Sequence, residues 1–394
     1  MKKLKRVGLA ALCFFIFGFI VSFLIHNGLW SKLTKGFGVI PFYIYPLLVI
    51  FIFFIVILVH ELGHLLSFVV SKVKIRALLV LGLVFKRTKK GFKFEFFTPL
   101  IKLLGGLVVS ELPNVGDDDE YNTLVEKFSK ALIAGPMISL YYFIFITVIF
   151  IFIWVYSNNS ILIGIFALNF IVTFILTILI MLSSKVHTNI LYGDFVAYDK
   201  MKNDELFQLN QITQYMSFKL EEDSETNEYL INKIKNYIKD NSIKYNMFTM
   251  NLYSQYISLI LHSDVNHYDS KVDEKIRAYQ IKRLINNDFG IELAYLISAY
   301  YYRFKKVDDA YMTFNRILEI DNKKTDSKEV LLLNLRYAHL LNIKDNTLEL
   351  IKEENLYTDE LYLLKPIFAL EDLREEATFK LPFVDYYTEL YCDV

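Results

Sequence analysis

Four stretches in the first half of this chain are apolar over lengths that match the thickness of a bilayer. They run from Val7 to Ile25, from Val39 to Val70, from Ala131 to Tyr156 and from Ile161 to Leu182. On the order of 20 apolar residues take a helix across the hydrocarbon core, so four such runs predict a multi-pass α-helical membrane protein. Hydrophobic residues make up 54% of the 394, which fits that class. The basic residues Lys2, Lys3, Lys5 and Arg6 precede the first run, as they would in a secretory signal. That run is long, however, and no small-residue cleavage site follows it before Leu29-Trp30, so it reads as a retained span. Lys and Arg total 43 and Asp and Glu total 43, a balance that offers nothing to nucleic acid. Cys13 and Cys392, one in an apolar run and one at the extreme end, form neither a disulfide framework nor a thiol metal site.

The second and third runs are separated by a stretch of different character. Ala77 to Phe85 is apolar, Lys86 to Gly91 reads as a turn, and Phe92-Lys93-Phe94-Glu95-Phe96 alternates as a strand does. The pattern predicts a small membrane-associated β-hairpin, followed by Gly105-Gly106 and an acidic loop, Asp117 to Glu120. The last two runs are joined by Ser157-Asn158-Asn159-Ser160 and form an antiparallel helical pair. Basic residues crowd the link after the second run, from Lys72 to Lys93, whereas the two candidate outer links hold only Lys32 and Lys35. By the positive-inside rule the protein lies in the cell membrane with both termini cytoplasmic.

Beyond Asp199 the chain changes. Charged residues become frequent, and up to Val394 the only glycine is Gly290 and the only prolines are Pro366 and Pro382. Residues 1–200 therefore read as a membrane-embedded domain, and residues 201–394 as a soluble all-α cytoplasmic domain. Ala294, Ile297, Ser298, Tyr301, Ala310 and Phe314, ending at Ile320-Asp321, resemble a tetratricopeptide unit, so the tail is expected to be helical-repeat-like. Stacked helix pairs build grooves for other polypeptides, which makes a protein partner for this domain an expectation. No nucleophile–base constellation or nucleotide motif occurs in it.

Chemistry is concentrated inside the second run, in His60-Glu61-Leu62-Gly63-His64. Residues i and i+4 share one face of a helix, so both imidazoles reach one metal ion, and the donor type suits Zn²⁺. Glu61 stands beside them as the general base for a water molecule. Ionisable residues are costly in an apolar span and mark function there. Gly63 leaves room for a second helix or for substrate. A catalytic zinc site takes a third protein ligand, and the candidates past the fourth run are His187, Asp194 and Asp199. Asp194 is preferred, because Gly193 lets the chain bring a carboxylate close. His26, His262, His267 and His339 are scattered and read as structural or surface residues.

From about Val39 to Lys200 the chain resembles the site-2 protease family of intramembrane zinc metalloproteases. His60-Glu61-Leu62-Gly63-His64 matches the family's H-E-x-G-H. Leu104-Gly105-Gly106-Leu107-Val108 resembles the glycine pair after its membrane-associated β element, and Ala134-Gly135-Pro136 resembles the A-G-P that opens its next span. Asp194 falls where the family has its carboxylate ligand. The resemblance implies zinc held by His60, His64 and Asp194, catalysis by Glu61, and a membrane-embedded polypeptide as substrate. Two departures stand out. Ser139 occupies the position, three residues after the A-G-P proline, where members commonly carry Asn. The ligand motif reads Gly193-Asp194-Phe195 rather than Asp-Gly, with Asn189 nearby. Readings from other classes are a non-proteolytic metal-binding transporter or immunity factor and a membrane-tethered adaptor. Against both stands the complete motif, since neither role needs a general base between two zinc ligands.

The predicted orientation is checked by labelling single cysteines from outside intact cells, in a background without Cys13 and Cys392. Asn158→Cys should react with an impermeant reagent and Lys89→Cys should not; the reverse pattern rejects the orientation.

Overall fold

A computed structural model describes residue 22 and residues 25–89, 91–98, 101, 105–188, 192–219, 223–261, 263, 267–287, 290–321, 328–341 and 343. Nearly all of the expected first span, Val7 to Ile25, lies outside the described residues, as do Leu104, Asn189, His262 and the chain beyond residue 343. Packing divides the chain into two compact units, Met1–Gly63 with Ala134–Lys185 and His64–Ile133 with Val186–Val394.

The first unit is helical. It contains α1 (Leu29–Val39), most of α2 (Ile44–Val70), the apolar part of α3 (Asp118–Tyr156) and α4 (Ser160–Ser183). Among the described residues, α2, α3 and α4 are the helices long and apolar enough to cross a membrane. A chain in hydrocarbon must satisfy its backbone polar groups internally, so these runs are helices throughout. Their outward residues are large and apolar: Ile50 and Phe51 on α2, Val148 and Phe152 on α3, and Leu179 and Leu182 on α4 are each more than half exposed. Water would penalise such faces, and lipid does not. Pro46 falls in the first turn of α2, where its missing N–H removes no intrahelical bond. Asn159 caps α4 by accepting the Leu162 N–H at 3.2 Å.

The link between the first and second expected spans is itself helical. α1 packs on α4 where Gly36 meets Gly164, and a Cβ on Gly164 would stand 2.4 Å from the Gly36 carbonyl oxygen. The Trp154 indole donates to the Leu29 carbonyl at 2.9 Å, and Lys32 Nζ donates to the carbonyls of Val155 and Ser157 at 3.2 Å each. The two links expected on the outer side therefore meet at one end of this unit.

The second unit joins a small sheet to the helical tail. Where the sequence predicts one hairpin with a turn at Lys86–Gly91, four strands form: β1 (Ile75–Val80), β2 (Leu83–Thr88), β3 (Gly91–Phe96) and β4 (Gly106–Ser110). They make an antiparallel sheet in the order β3-β2-β1-β4. The apolar run Ala77 to Phe85 is broken by a two-residue turn, Leu81-Gly82, both at positive φ, between the paired residues Val80 and Leu83. Lys86 to Thr88 continue β2, pairing Lys86 with Lys93 and Phe85 with Phe94. The alternation read at Phe92 to Phe96 is a strand, at the sheet edge. Ala77, Leu79, Val84 and Val109 form a small core with Phe218.

The acidic residues expected as a loop are the start of α3. Asp117 accepts the Glu120 N–H at 2.8 Å, and Asp118, Asp119 and Glu120 occupy the first turn, where the helix dipole favours negative charge. The tail continues with α5 (Asp194–Asn203), α6 (Glu205–Gln214), a 3₁₀ turn (Tyr215–Phe218), α7 (Ser224–Asp240), α8 (Met247–Leu261), α9 (Ser270–Arg277), α10 (Ile281–Ile285), α11 (Ile291–Arg303), α12 (Val307–Asp321) and α13 (Lys328–Leu340). Asp204, Asp223 and Asp269 cap α6, α7 and α9. α11 is buried from Leu293 to Arg303 and packs against α8 and α12. One hydrophobic core holds Phe68, Val108, Leu112, Leu124 and Phe128 together with Phe207, Leu230, Tyr256 and Ile297. The tail and the segment between the second and third spans are thus a single packed body.

Candidate metal centre

His60, Glu61 and His64 lie in the last third of α2, a helix unbroken from Ile44 to Val70. His60 and His64 are one turn apart, so their side chains project from one face. Glu61 is 5% exposed, and its carboxylate sits where charge is poorly screened by water.

His60, Gly63 and His64 each meet the facing helix, α3. Gly63 is the point of closest approach: a Cβ there would stand 2.8 Å from the Ala134 carbonyl oxygen and 2.9 Å from Gly135 Cα. The space that the motif's glycine leaves is therefore taken by another helix, and by the Ala134-Gly135-Pro136 segment in particular. Pro136 donates no N–H, yet α3 continues through it. One turn before Gly135, the Ala131 carbonyl lies 2.7 Å from His64 Nδ1. One turn after it, Ser139 Oγ lies 3.1 Å from His60 Nδ1. A carbonyl only accepts, so His64 Nδ1 carries a proton, and in the neutral imidazole Nε2 is then the nitrogen with the lone pair. A metal-ligating histidine usually has its other ring nitrogen hydrogen-bonded in this way.

Asp194 is the first residue of α5, after the extended Gly193. Its Oδ1 is 4.0 Å from His64 Nε2, too far for a hydrogen bond and somewhat longer than the roughly 3.4 Å between two ligands of a tetrahedral zinc ion. The segment that carries it is pinned on both sides. The Gly193 N–H donates to the Val186 carbonyl at 2.9 Å, and Tyr192 bridges to His187 across a short antiparallel contact. The Tyr192 ring stacks on Phe248 at 5.1 Å with 4° between planes, and packs on Phe207 at 5.6 Å.

The other two candidates are engaged elsewhere. Asp199 Oδ1 accepts from Asn203 Nδ2 at 3.0 Å, one turn along α5. His187 is exposed, its ring 5.0 Å from that of Tyr192. His60, His64 and Asp194 are all half-buried. Two imidazoles and one carboxylate, with both Nδ1 atoms occupied, are a donor set that fits zinc and leaves a coordination position for water.

Sequence reasoning assigned no role to Ser139, the Ala131 carbonyl or Tyr192. A signal for the first two was present. Ala131, Gly135 and Ser139 are small residues spaced by four, the spacing that lets two membrane helices approach closely. Tyr192 carried no such signal, because the rings it packs on, Phe207 and Phe248, belong to later helices.

A family model described as Peptidase family M50 matches residues 48–261, more than half of the chain. No curated protein and no solved structure matches it.

The contact at Gly63 can be tested without chemistry. Gly63→Ala should cost about 1–3 kcal/mol, because a methyl group must displace backbone on α3. Gly38→Ala, with nothing within 4 Å, should be neutral or slightly stabilising. Thermal unfolding in detergent, followed by circular dichroism, reads both; equal midpoints would contradict the close contact.

Proposed function

The chain belongs to peptidase family M50, and from that premise we propose that it is an intramembrane zinc endopeptidase, cutting in or near the transmembrane segments of membrane proteins or peptides. The observation that carries the reading is the helical turn His60–His64, with each imidazole Nδ1 engaged by α3 and the Asp194 carboxylate beside His64.

In this reading His60, His64 and Asp194 hold the ion through Nε2, Nε2 and a carboxylate oxygen. A bound zinc ion supplies Lewis acidity, towards water and towards the scissile carbonyl. Glu61 takes a proton from the attacking water and hands it to the leaving amine as the C–N bond breaks. Peptide bonds in a bilayer are helical, so the substrate must unwind before it is cut. β3 is an edge strand, able to pair with an extended segment through main-chain bonds that ask for no particular side chain. Its exposed Phe92, Phe94 and Phe96 suit a position at the lipid surface. The link that carries this sheet, rich in Lys and Arg, lies on the cytoplasmic side in the proposed topology, and the ion would sit nearer that face.

The tail recruits substrate or regulates cleavage in this proposal. Tyr192, two residues before Asp194, is packed on Phe207 and Phe248, so a protein that binds the tail has a route to the carboxylate.

Purified protein should hold about one zinc per chain. Glu61→Gln should keep the metal and slow cleavage by about 10²–10⁴-fold. His60→Ala and His64→Ala should lose metal and activity together, and Asp194→Ala should lower zinc occupancy more than Asp199→Ala or His187→Ala. Comparing membrane and secreted peptides from cells with the native protein and with Glu61→Gln identifies a substrate. Cleavage of that substrate at the native rate by Glu61→Gln would sink the mechanism.

A further inference from the structure

Ser139 is one of the two departures from the resembled pattern, and the structure gives it a partner. It is 1% exposed, on the α3 face that meets α2. Its Oγ is 3.1 Å from His60 Nδ1 and 3.0 Å from the Gly135 carbonyl oxygen, one turn back on its own helix. We infer that Ser139 is a positioning residue for His60. Its hydroxyl accepts the Nδ1–H and holds the imidazole in the tautomer whose Nε2 can ligate a metal ion. The inference rests on the reading of His60 as a ligand.

Donor and acceptor counting carries it. A hydroxyl has one proton to give and lone pairs to receive with. The Gly135 carbonyl cannot donate. If the Ser139 proton goes to that carbonyl, the oxygen faces His60 with a lone pair, and Nδ1 must supply the proton. If instead the hydroxyl donates to Nδ1, the imidazole proton moves to Nε2, and the nitrogen needed by the ion is blocked. Free imidazoles of histidine favour the proton on Nε2, so His60 needs a specific acceptor to reverse that preference. At His64 a backbone carbonyl does this and leaves no choice. At His60 a side chain does it, which makes the second ligand the one that a single substitution can release.

The test reads the tautomer directly, in full-length protein in lipid nanodiscs. Zinc is removed by chelation and the pH held near 8.5, well above the ordinary histidine range of about 6.5. Nitrogen-15 spectra of histidine-labelled protein, with the His60 signals assigned as those missing from His60→Gln, should show protonated Nδ1 and bare Nε2. In Ser139→Ala the His60 proton should move wholly or partly to Nε2, while His64 stays as it was. Zinc affinity, measured by chelator competition, should fall about 10–100-fold. A native His60 protonated on Nε2, an unchanged tautomer in Ser139→Ala, or an unchanged zinc affinity would each overturn the role of Ser139. If the native protein takes up no zinc at all, the peptidase reading fails, and the tautomer result alone decides what Ser139 does.

Discussion

The backbone contact at Gly63 is the constraint on which the rest of the site depends. Placing two imidazoles and a carboxylate in an apolar helix is costly unless each finds a partner. The partners of the two imidazoles are on α3, and they are within reach because a hydrogen atom stands where any other residue would put a Cβ, 2.8 Å from the Ala134 carbonyl. With the helices that close, Ala131 meets His64 and Ser139 meets His60, one turn to either side of Gly135. The two glycine-containing motifs of the sequence, seventy-odd residues apart, are the two sides of one contact.

A second dependence runs through the tail. Asp194 is not held by its own helix alone. The residues before it are fastened by Tyr192 to Phe207 and Phe248, and those rings belong to a core that also takes in Phe68, Leu112, Leu124 and Phe128. The region after residue 200 is therefore built into the same packed body as the sheet.

Legibility in the sequence followed the range of the interactions. The apolar runs at α2, α3 and α4 and the H-E-x-x-H turn are local patterns, and they were read directly. So was β3, from its alternation. The turn at Leu81-Gly82 was hidden, because leucine rarely takes positive φ and the surrounding run is uniformly apolar; two strands looked like one. The start of α3 was hidden for the opposite reason: Asp117 to Glu120 look like solvated loop, yet they cap a helix and favour its N-terminus. α1 was taken for a link because nothing local shows that Gly36 meets Gly164. Ser139 could be noticed as a departure from the family pattern and as one of three small residues spaced by four, but its partner His60 lies on a helix that is not its own. The stack of Tyr192 on Phe207 and Phe248, before Asp194, is a tertiary fact with no local trace.

The central claim is that the α2–α3 contact prepares a site for one zinc ion with two imidazole ligands and one carboxylate. X-ray absorption at the zinc edge, on protein purified from its membrane, examines that most directly. The account predicts a tightly bound ion whose first shell is nitrogen and oxygen at about 2.0–2.2 Å, with multiple scattering from two imidazoles and no sulfur at about 2.3 Å. A shell of water oxygens without imidazole scattering, unchanged by His60→Ala and His64→Ala, would contradict it.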